Sequence, residues 1–207
     1  MKTGVNIMII DDHSMVNSAL ASLLEETGRF RVCGEAYSLA DAMESISALE
    51  GDMPALIILD ILLGEENGLD FLPFLDSLCR ERKIPKPPVL VCSVLEEPFR
   101  IHTAMKMGAS GYIPKTRNRK ELLEAIDSVL RGEIFMSSEH SAMAMKSYGL
   151  YARFTKRELE IFNLIRKNKT NREIAEALGL SVHTIENHIG KIYLKTGTGS
   201  RQELFGL

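Results

Sequence analysis

Over the first 131 residues, short apolar runs alternate with longer stretches whose apolar positions recur at helical spacing. The runs fall at 5–10, 31–35, 55–59, 89–92 and 111–113 and read as strands. Between them, Met15, Leu20, Leu23 and Leu24 mark one helix, and Leu39, Met43, Ile46 and Leu49 mark a second. Further helical patterns run through 69–78, 99–107 and 122–130. Connections of this length exclude hairpins, so the strands lie parallel with helices covering both faces. The pattern predicts an α/β doubly wound five-stranded parallel sheet. A ligand site in such a sheet lies at the carboxyl ends of the strands.

The pattern lapses over 132–152, which reads as a linker holding one short helix over 138–145. A compact helical pattern then occupies 153–207. Thr155 followed by Glu158 forms a capping box ahead of Leu159, Phe162 and Ile165 on one face. Thr170 or Asn171 caps a second helix that stops at Gly179. Ser181 caps a third, from Val182 to about Lys195, which stops at Gly197. The joint Gly179-Leu180-Ser181 has the length of the turn in a helix-turn-helix. Its buried seam is predicted as Ile174, Ala175, Leu178, Leu180, Val182, Ile185, Ile189 and Ile192. Ser200 can cap a last helix, for which little chain remains. The expected domains are therefore 1–131, a linker at 132–152, and a small all-α helix-turn-helix domain at 153–207.

Charge sharpens this division. Residues 1–149 carry 15 Lys+Arg against 22 Asp+Glu, whereas residues 150–207 carry 10 against 6. An acidic first part joined to a basic second part points to an anion-binding module at the end, nucleic acid first among candidates. No run approaches the ~20 apolar residues that span a bilayer, and the N-terminus has no signal-peptide pattern, so no membrane partner is expected. Cys33, Cys79 and Cys92 lack metal-ligand spacing, which favours a reducing, cytoplasmic setting.

Asp11 and Asp12 follow the first predicted strand and Asp60 follows the third, so the three carboxylates should converge on one sheet edge. Their mutual repulsion calls for a hard divalent cation such as Mg²⁺. Ser93 and Lys115 fall at two further strand ends on the same edge. Carboxylates for a metal, one carboxylate free to react, a hydroxyl donor and a fixed cation are the parts that phosphoryl transfer needs. His13, directly after the acid pair, reads as the start of the first helix.

Through "IIDDH", "LIILDILLGEENG", "VLVCS" and "GYIPK", the first domain resembles the receiver domain of two-component response regulators. The resemblance implies that Asp60 accepts a phosphoryl group from a histidine kinase. It implies that Asp12 holds Mg²⁺ directly, Asp11 through water, and the backbone carbonyl of Leu62 completes the protein ligands. Ser93 would hydrogen-bond the phosphoryl oxygens, Lys115 would pair with them, and Tyr112 would be the aromatic whose rotamer reports the switch. Leu63-Gly64 departs from the frequent Met-Pro, and Glu65-Glu66 reads as solvated.

The second domain resembles the LuxR-type helix-turn-helix of the NarL/FixJ regulators, over "FTKRELEIFNLIRKNKTNREIAEALGLSVHTIENHIGKIYLKTG". The second helix of such a unit enters the major groove N-terminus first. Lys169, Asn171, Arg172, Thr184, Lys191 and Lys195 are the expected phosphate contacts. Asn187 could pair with adenine and Glu186 could accept from a cytosine amino group. Where the family often has basic or small apolar side chains, this chain has Glu186, Asn187 and Gly190. The short tail leaves homodimerisation on phosphorylation to be carried elsewhere, the receiver included.

The leading expectation is a phosphorylation-switched transcription factor that binds double-stranded DNA and catalyses only its own phosphoryl transfer and dephosphorylation. A phosphorylation-controlled protein- or RNA-interaction module is the alternative. A hydrolase built on an aspartyl phosphate is the third class, against which stands the lack of an evident extra domain to cap a substrate.

Overall fold

A computed structural model describes residues 4–49, 52–96, 98–137 and 153–205. The chain divides into two compact units, Met1–Ser141 and Ala142–Leu207. The expected short helix over 138–145 lies outside the described residues.

In the first unit, β1 (Val5–Ile10), β2 (Phe30–Ala36), β3 (Leu56–Leu59), β6 (Val89–Ser93) and β7 (Gly111–Pro114) are the expected strands, with no end displaced by more than one residue. They pair in parallel in the order β2-β1-β3-β6-β7. Alternation along each strand feeds two cores. Met8, Ile10, Ile57 and Leu59 face one side, and Ile7, Ile9, Leu56 and Ile58 the other. Helices α1 (Ser14–Glu25), α2 (Leu39–Ser47), α3 (Phe71–Arg82), α4 (Pro98–Lys106) and α5 (Arg119–Leu130) make the crossovers. The strand order reverses between β1 and β3, which puts a topological switch point at their carboxyl ends.

Two features exceed the five-stranded expectation. A sixth strand, β8 (Phe135–Met136), joins the edge in parallel with β7, pairing Gly111 with Phe135 and Tyr112 with Met136. The sheet thus continues into residues read as linker. Two residues are too few for a periodic signal, and only the neighbouring β7 edge makes them a strand. The second feature is a hairpin of β4 (Leu62–Leu63) and β5 (Glu66–Asn67). Gly64 in its turn has φ +61°, which the proline of the commoner pattern, locked near −65°, could not adopt. Glu66, read as solvated, accepts from the Leu39 amide at 3.1 Å and ties the hairpin to the first turn of α2.

The second unit packs α6 (Lys156–Arg166), α7 (Asn171–Leu178), α8 (Val182–Thr196) and α9 (Arg201–Phe205). The Thr155–Glu158 capping box forms as expected, and Thr170 with Glu173 makes a second one. Hydrogen bonds from the Thr170 backbone and side chain, with help from Lys169, hold the Glu173 carboxyl down at about 2. Ser181 caps α8, and Gly179 and Gly197 end α7 and α8 in the left-handed conformation. Phe154, Leu159, Ile161, Phe162, Ile165, Ile174, Ile185, Ile189, Ile192 and Leu204 fill the core. Val182 departs from the predicted seam. It is 41% exposed, because as the first residue of α8 it stands at the outer end of the stripe that Ile185, Ile189 and Ile192 continue.

Candidate functional site

The switch point brings the acidic residues together as the strand ends require. Asp11 and Asp60 are buried and Asp12 is half-buried. Asp11 is fixed by its own main chain, whose carbonyl accepts from the buried Asn17 side chain at 3.0 Å. The Asp12 carboxylate accepts from the Gly64 amide at 3.0 Å, which anchors the hairpin turn over the site.

Lys115, at the end of β7, reaches back between the carboxylates. Its ammonium donates to Asp60 Oδ2 at 2.7 Å and pairs with Asp11 Oδ2. Burial alone would push the lysine pKa down, but the bonds to Asp11 and Asp60 outweigh it and hold the group charged, above its ordinary value. The other Asp60 oxygen, Oδ1, is buried and has no hydrogen-bond partner among the described residues. A buried carboxylate oxygen without a donor is costly unless something outside the chain meets it.

Asp11, Asp12 and His13 place one ligand atom each within 4.8 Å of one another. His13 takes the N-cap position of α1, with Nδ1 2.7 Å from Asp12 Oδ1. Acidic oxygens are the donors that suit a hard cation such as Mg²⁺, and the orphaned Asp60 Oδ1 fits such a guest. Leu62 opens β4, two residues beyond Asp60.

Ser93 is fully buried as the last residue of β6, and its hydroxyl accepts from the Leu95 amide at 3.5 Å. Tyr112 is turned fully inward, and its hydroxyl donates to the Leu95 carbonyl. Leu95 therefore touches both expected switch residues through its main chain. Cys92, beside Ser93, has its thiol pushed up to about 12 by burial, so it stays protonated and is no rival nucleophile.

In the second unit the expected contact residues separate into two groups. Arg172, Glu186, Asn187 and Lys191 are exposed, and none makes an ion pair among the described residues. The others are engaged within the fold. Lys169 pairs with Glu173 at 3.2 Å, Asn171 accepts from Arg201 at 2.9 Å, and the Thr184 hydroxyl lies 2.8 Å from that of Ser181. Lys195 donates to the buried Glu158 at 2.6 Å, because a carboxylate capping α6 inside the core requires a cation. Arg201, which also donates to the Lys169 carbonyl, was not singled out by sequence, nor was Gly68 beneath Asp60. Their roles depend on long-range approaches that leave no local signal.

Two family models match the chain: the response regulator receiver domain over residues 7–127, and the bacterial regulatory proteins of the luxR family over residues 152–207. The transcriptional regulatory protein LiaR of Bacillus subtilis is 30% identical over 206 residues, covering 96% of this chain and 94% of its own length. The response regulator protein VraR of Staphylococcus aureus is 28% identical, covering 96% and 93%. Among solved structures, RcsB of Salmonella enterica serovar Typhimurium, bound to a promoter in the presence of the phosphomimetic BeF3-, matches with a TM-score of 0.67 at 20% identity. That match covers 99% of this chain and 97% of the other. The response regulator ChrA of a heme-sensing two-component system matches with a TM-score of 0.54 at 24% identity, covering 98% and 95%. At these identities the structural likenesses speak to the fold.

Proposed function

The chain belongs to the response regulators that join a receiver domain to a luxR-type DNA-binding domain, and on that premise we propose that phosphorylation of Asp60 by a histidine kinase controls its sequence-specific DNA binding and hence transcription. The receiver is assigned to 1–131, the DNA-binding domain to 153–207, and 132–152 to the linker, whose Phe135–Met136 lends the receiver its edge strand. The observation that carries the proposal is the divided state of Asp60, with one oxygen on Lys115 and the other buried without a partner among the described residues. Such a carboxylate is held in place by one atom and free to react through the other.

In the transfer, an Asp60 oxygen attacks the phosphorus of the kinase phosphohistidine. The P–O bond forms as the P–N bond breaks, and the electron pair returns to the imidazole. Lys115 and Ser93 are placed to meet the phosphoryl oxygens. Asp11, Asp12, Asp60 and the Leu62 carbonyl would hold Mg²⁺, which when bound neutralises the charge gathered there. Drawing the Ser93 hydroxyl away from Leu95 would loosen the loop that holds Tyr112, biasing a two-state packing change.

Arg172 and Lys191 are assigned to DNA phosphates, with Glu186 and Asn187 at base edges. Lys169, Asn171, Thr184 and Lys195 act mainly by holding α7 and α8 in place. The protein is placed in the cytoplasm as a homodimer when phosphorylated. No catalysis beyond its own phosphoryl transfer and dephosphorylation is assigned. Among the described residues no helix is long and apolar enough to cross a membrane.

Beryllofluoride, a phosphoryl mimic, is expected to tighten binding of the full chain to a random-sequence duplex pool in gel shifts at fixed salt. Light scattering should show a shift to dimer. Asp60→Ala should respond in neither assay, and an equal response from that variant would defeat the proposal. Mg²⁺ should also raise the thermal midpoint of the receiver by several degrees, since saturation at 100 Kd stabilises by about 2.7 kcal/mol. Asp12→Ala should remove that rise, and an unchanged Mg²⁺ response would exclude Asp12 as a ligand.

A further inference from the structure

Helix α8 buries Ile185, Ile189 and Ile192 and turns His183, Glu186, Asn187, Gly190, Lys191 and Leu194 to solvent. Gly190 stands in the middle of that outer stripe. Every other described glycine outside the exposed loop position Gly199 meets a local demand or neighbour. Gly28, Gly64, Gly108, Gly132, Gly179 and Gly197 have left-handed φ, and a Cβ at Gly4, Gly68 or Gly111 would crowd neighbouring atoms. Gly34 lies in a strand with Met8 Cγ 3.8 Å from where its Cβ would be. Gly190 alone sits inside an α-helix, with ordinary φ and nothing within 4 Å of the place a Cβ would take.

Among the described residues, glycine there gains nothing. Alanine would fit without contact and strengthen the helix, since glycine is the poorest helix former after proline. What glycine offers there is close approach, since a body outside the described packing can come nearer the helix than a Cβ allows. The neighbours say what kind of body. Asn187 offers paired amide groups, Glu186 an acceptor, Lys191 a cation, and Leu194, 85% exposed, an apolar end. That mixture suits base edges and a thymine methyl. Asn187 is also a short side chain, which reaches a base edge only from a helix seated deep in the groove.

We propose that Gly190 is a specificity-determining position: its bare backbone lets α8 seat against the major groove closely enough for Asn187 to read a base directly. This rests on the DNA-binding reading above. It assigns sequence discrimination to depth of seating as well as to the side chains that make the contacts.

The test is selection from a library of duplexes with a random core, using the beryllofluoride-treated full chain, wild type and Gly190→Ala in parallel. The wild type should enrich a defined site. Gly190→Ala should raise the thermal midpoint of the DNA-binding domain, bind the wild-type site at least tenfold more weakly, and bind a scrambled duplex within about twofold of wild type. Equal affinity of both proteins for the enriched site, with the same site selected, would overturn the inference and leave DNA binding intact. Equal weakening on enriched and scrambled duplexes would also overturn it, since seating depth should matter only where bases are read. A wild type that enriches no site would remove the DNA-binding reading itself, and this inference with it.

Discussion

Gly68→Ala is expected to destabilise the receiver by about 3 kcal/mol or more and to abolish its response to beryllofluoride. Gly68 follows the β4–β5 hairpin, and its amide donates to the Ile61 carbonyl at 2.7 Å. That bond folds the hairpin back onto the end of β3 and lays Gly68 against the main chain of Asp60. A Cβ there would collide with the Asp60 carbonyl oxygen and press on the Ile61 carbonyl at 3.3 Å. Both neighbours are backbone, so no rotamer change can relieve the clash. Relief requires moving either the hairpin, which carries Gly64 on Asp12, or the residue proposed as phosphoacceptor. Thermal and urea unfolding would measure the loss, and amide hydrogen exchange across the hairpin would report its displacement. A variant that melts with the wild type and still responds to beryllofluoride would show that the site tolerates a shift of its backbone.

The second large effect is expected in the other unit. Lys195→Met should destabilise the DNA-binding domain by roughly 2 kcal/mol at neutral pH, somewhat below the usual figure for a broken buried pair because Lys195 is partly exposed. The substitution keeps most of the apolar stem and removes the charge that faces Glu158. Burial pushes the Glu158 carboxyl upward, but bonds from Lys195 and Thr155 outweigh it and bring the group below its ordinary 4.5. A carboxyl lowered on folding adds stability above its unfolded pKa, and that stability is lost as pH falls through the folded value. The difference between wild type and Lys195→Met should therefore be full at pH 7 and shrink below about pH 4.5. Hydrogen exchange of α6 and α8 amides in the full chain, at several pH values, separates this domain from the receiver. A difference independent of pH would mean that Lys195 acts by packing its stem and that Glu158 is satisfied without it. DNA affinity should fall with stability in this variant, because the pair fixes α8 to the first helix of its domain.

Much of the architecture was legible because it is written in local periodicity. The run Val5–Ile10 alternates its side chains between two cores and could be assigned to a strand buried on both faces from its apolar character alone. The caps at Thr155 and Ser181 and the stops at Gly179 and Gly197 are chemical signals confined to a few adjacent residues. Asp11, Asp12, Asp60 and Lys115 were placed together by a topological argument, since parallel strands share a carboxyl edge. The hairpin after Asp60 and the strand Phe135–Met136 were not legible, because each has two-residue strands and exists only where a partner edge presents itself.

Fold class, the meeting of the acidic residues with Lys115, and the helix-turn-helix are written in the sequence, because strand character, carboxyl edge and helix cap follow from patterns that short segments carry. How those groups are used follows from packing between distant segments. That packing divided Asp60 between a bonded and an unbonded oxygen, drew Lys195 from the expected DNA face to the buried Glu158, and showed Gly68 to be demanded by crowding where Gly190 is not. Which atom meets which depends on distances between segments far apart in the chain. Those distances are fixed only when the core closes.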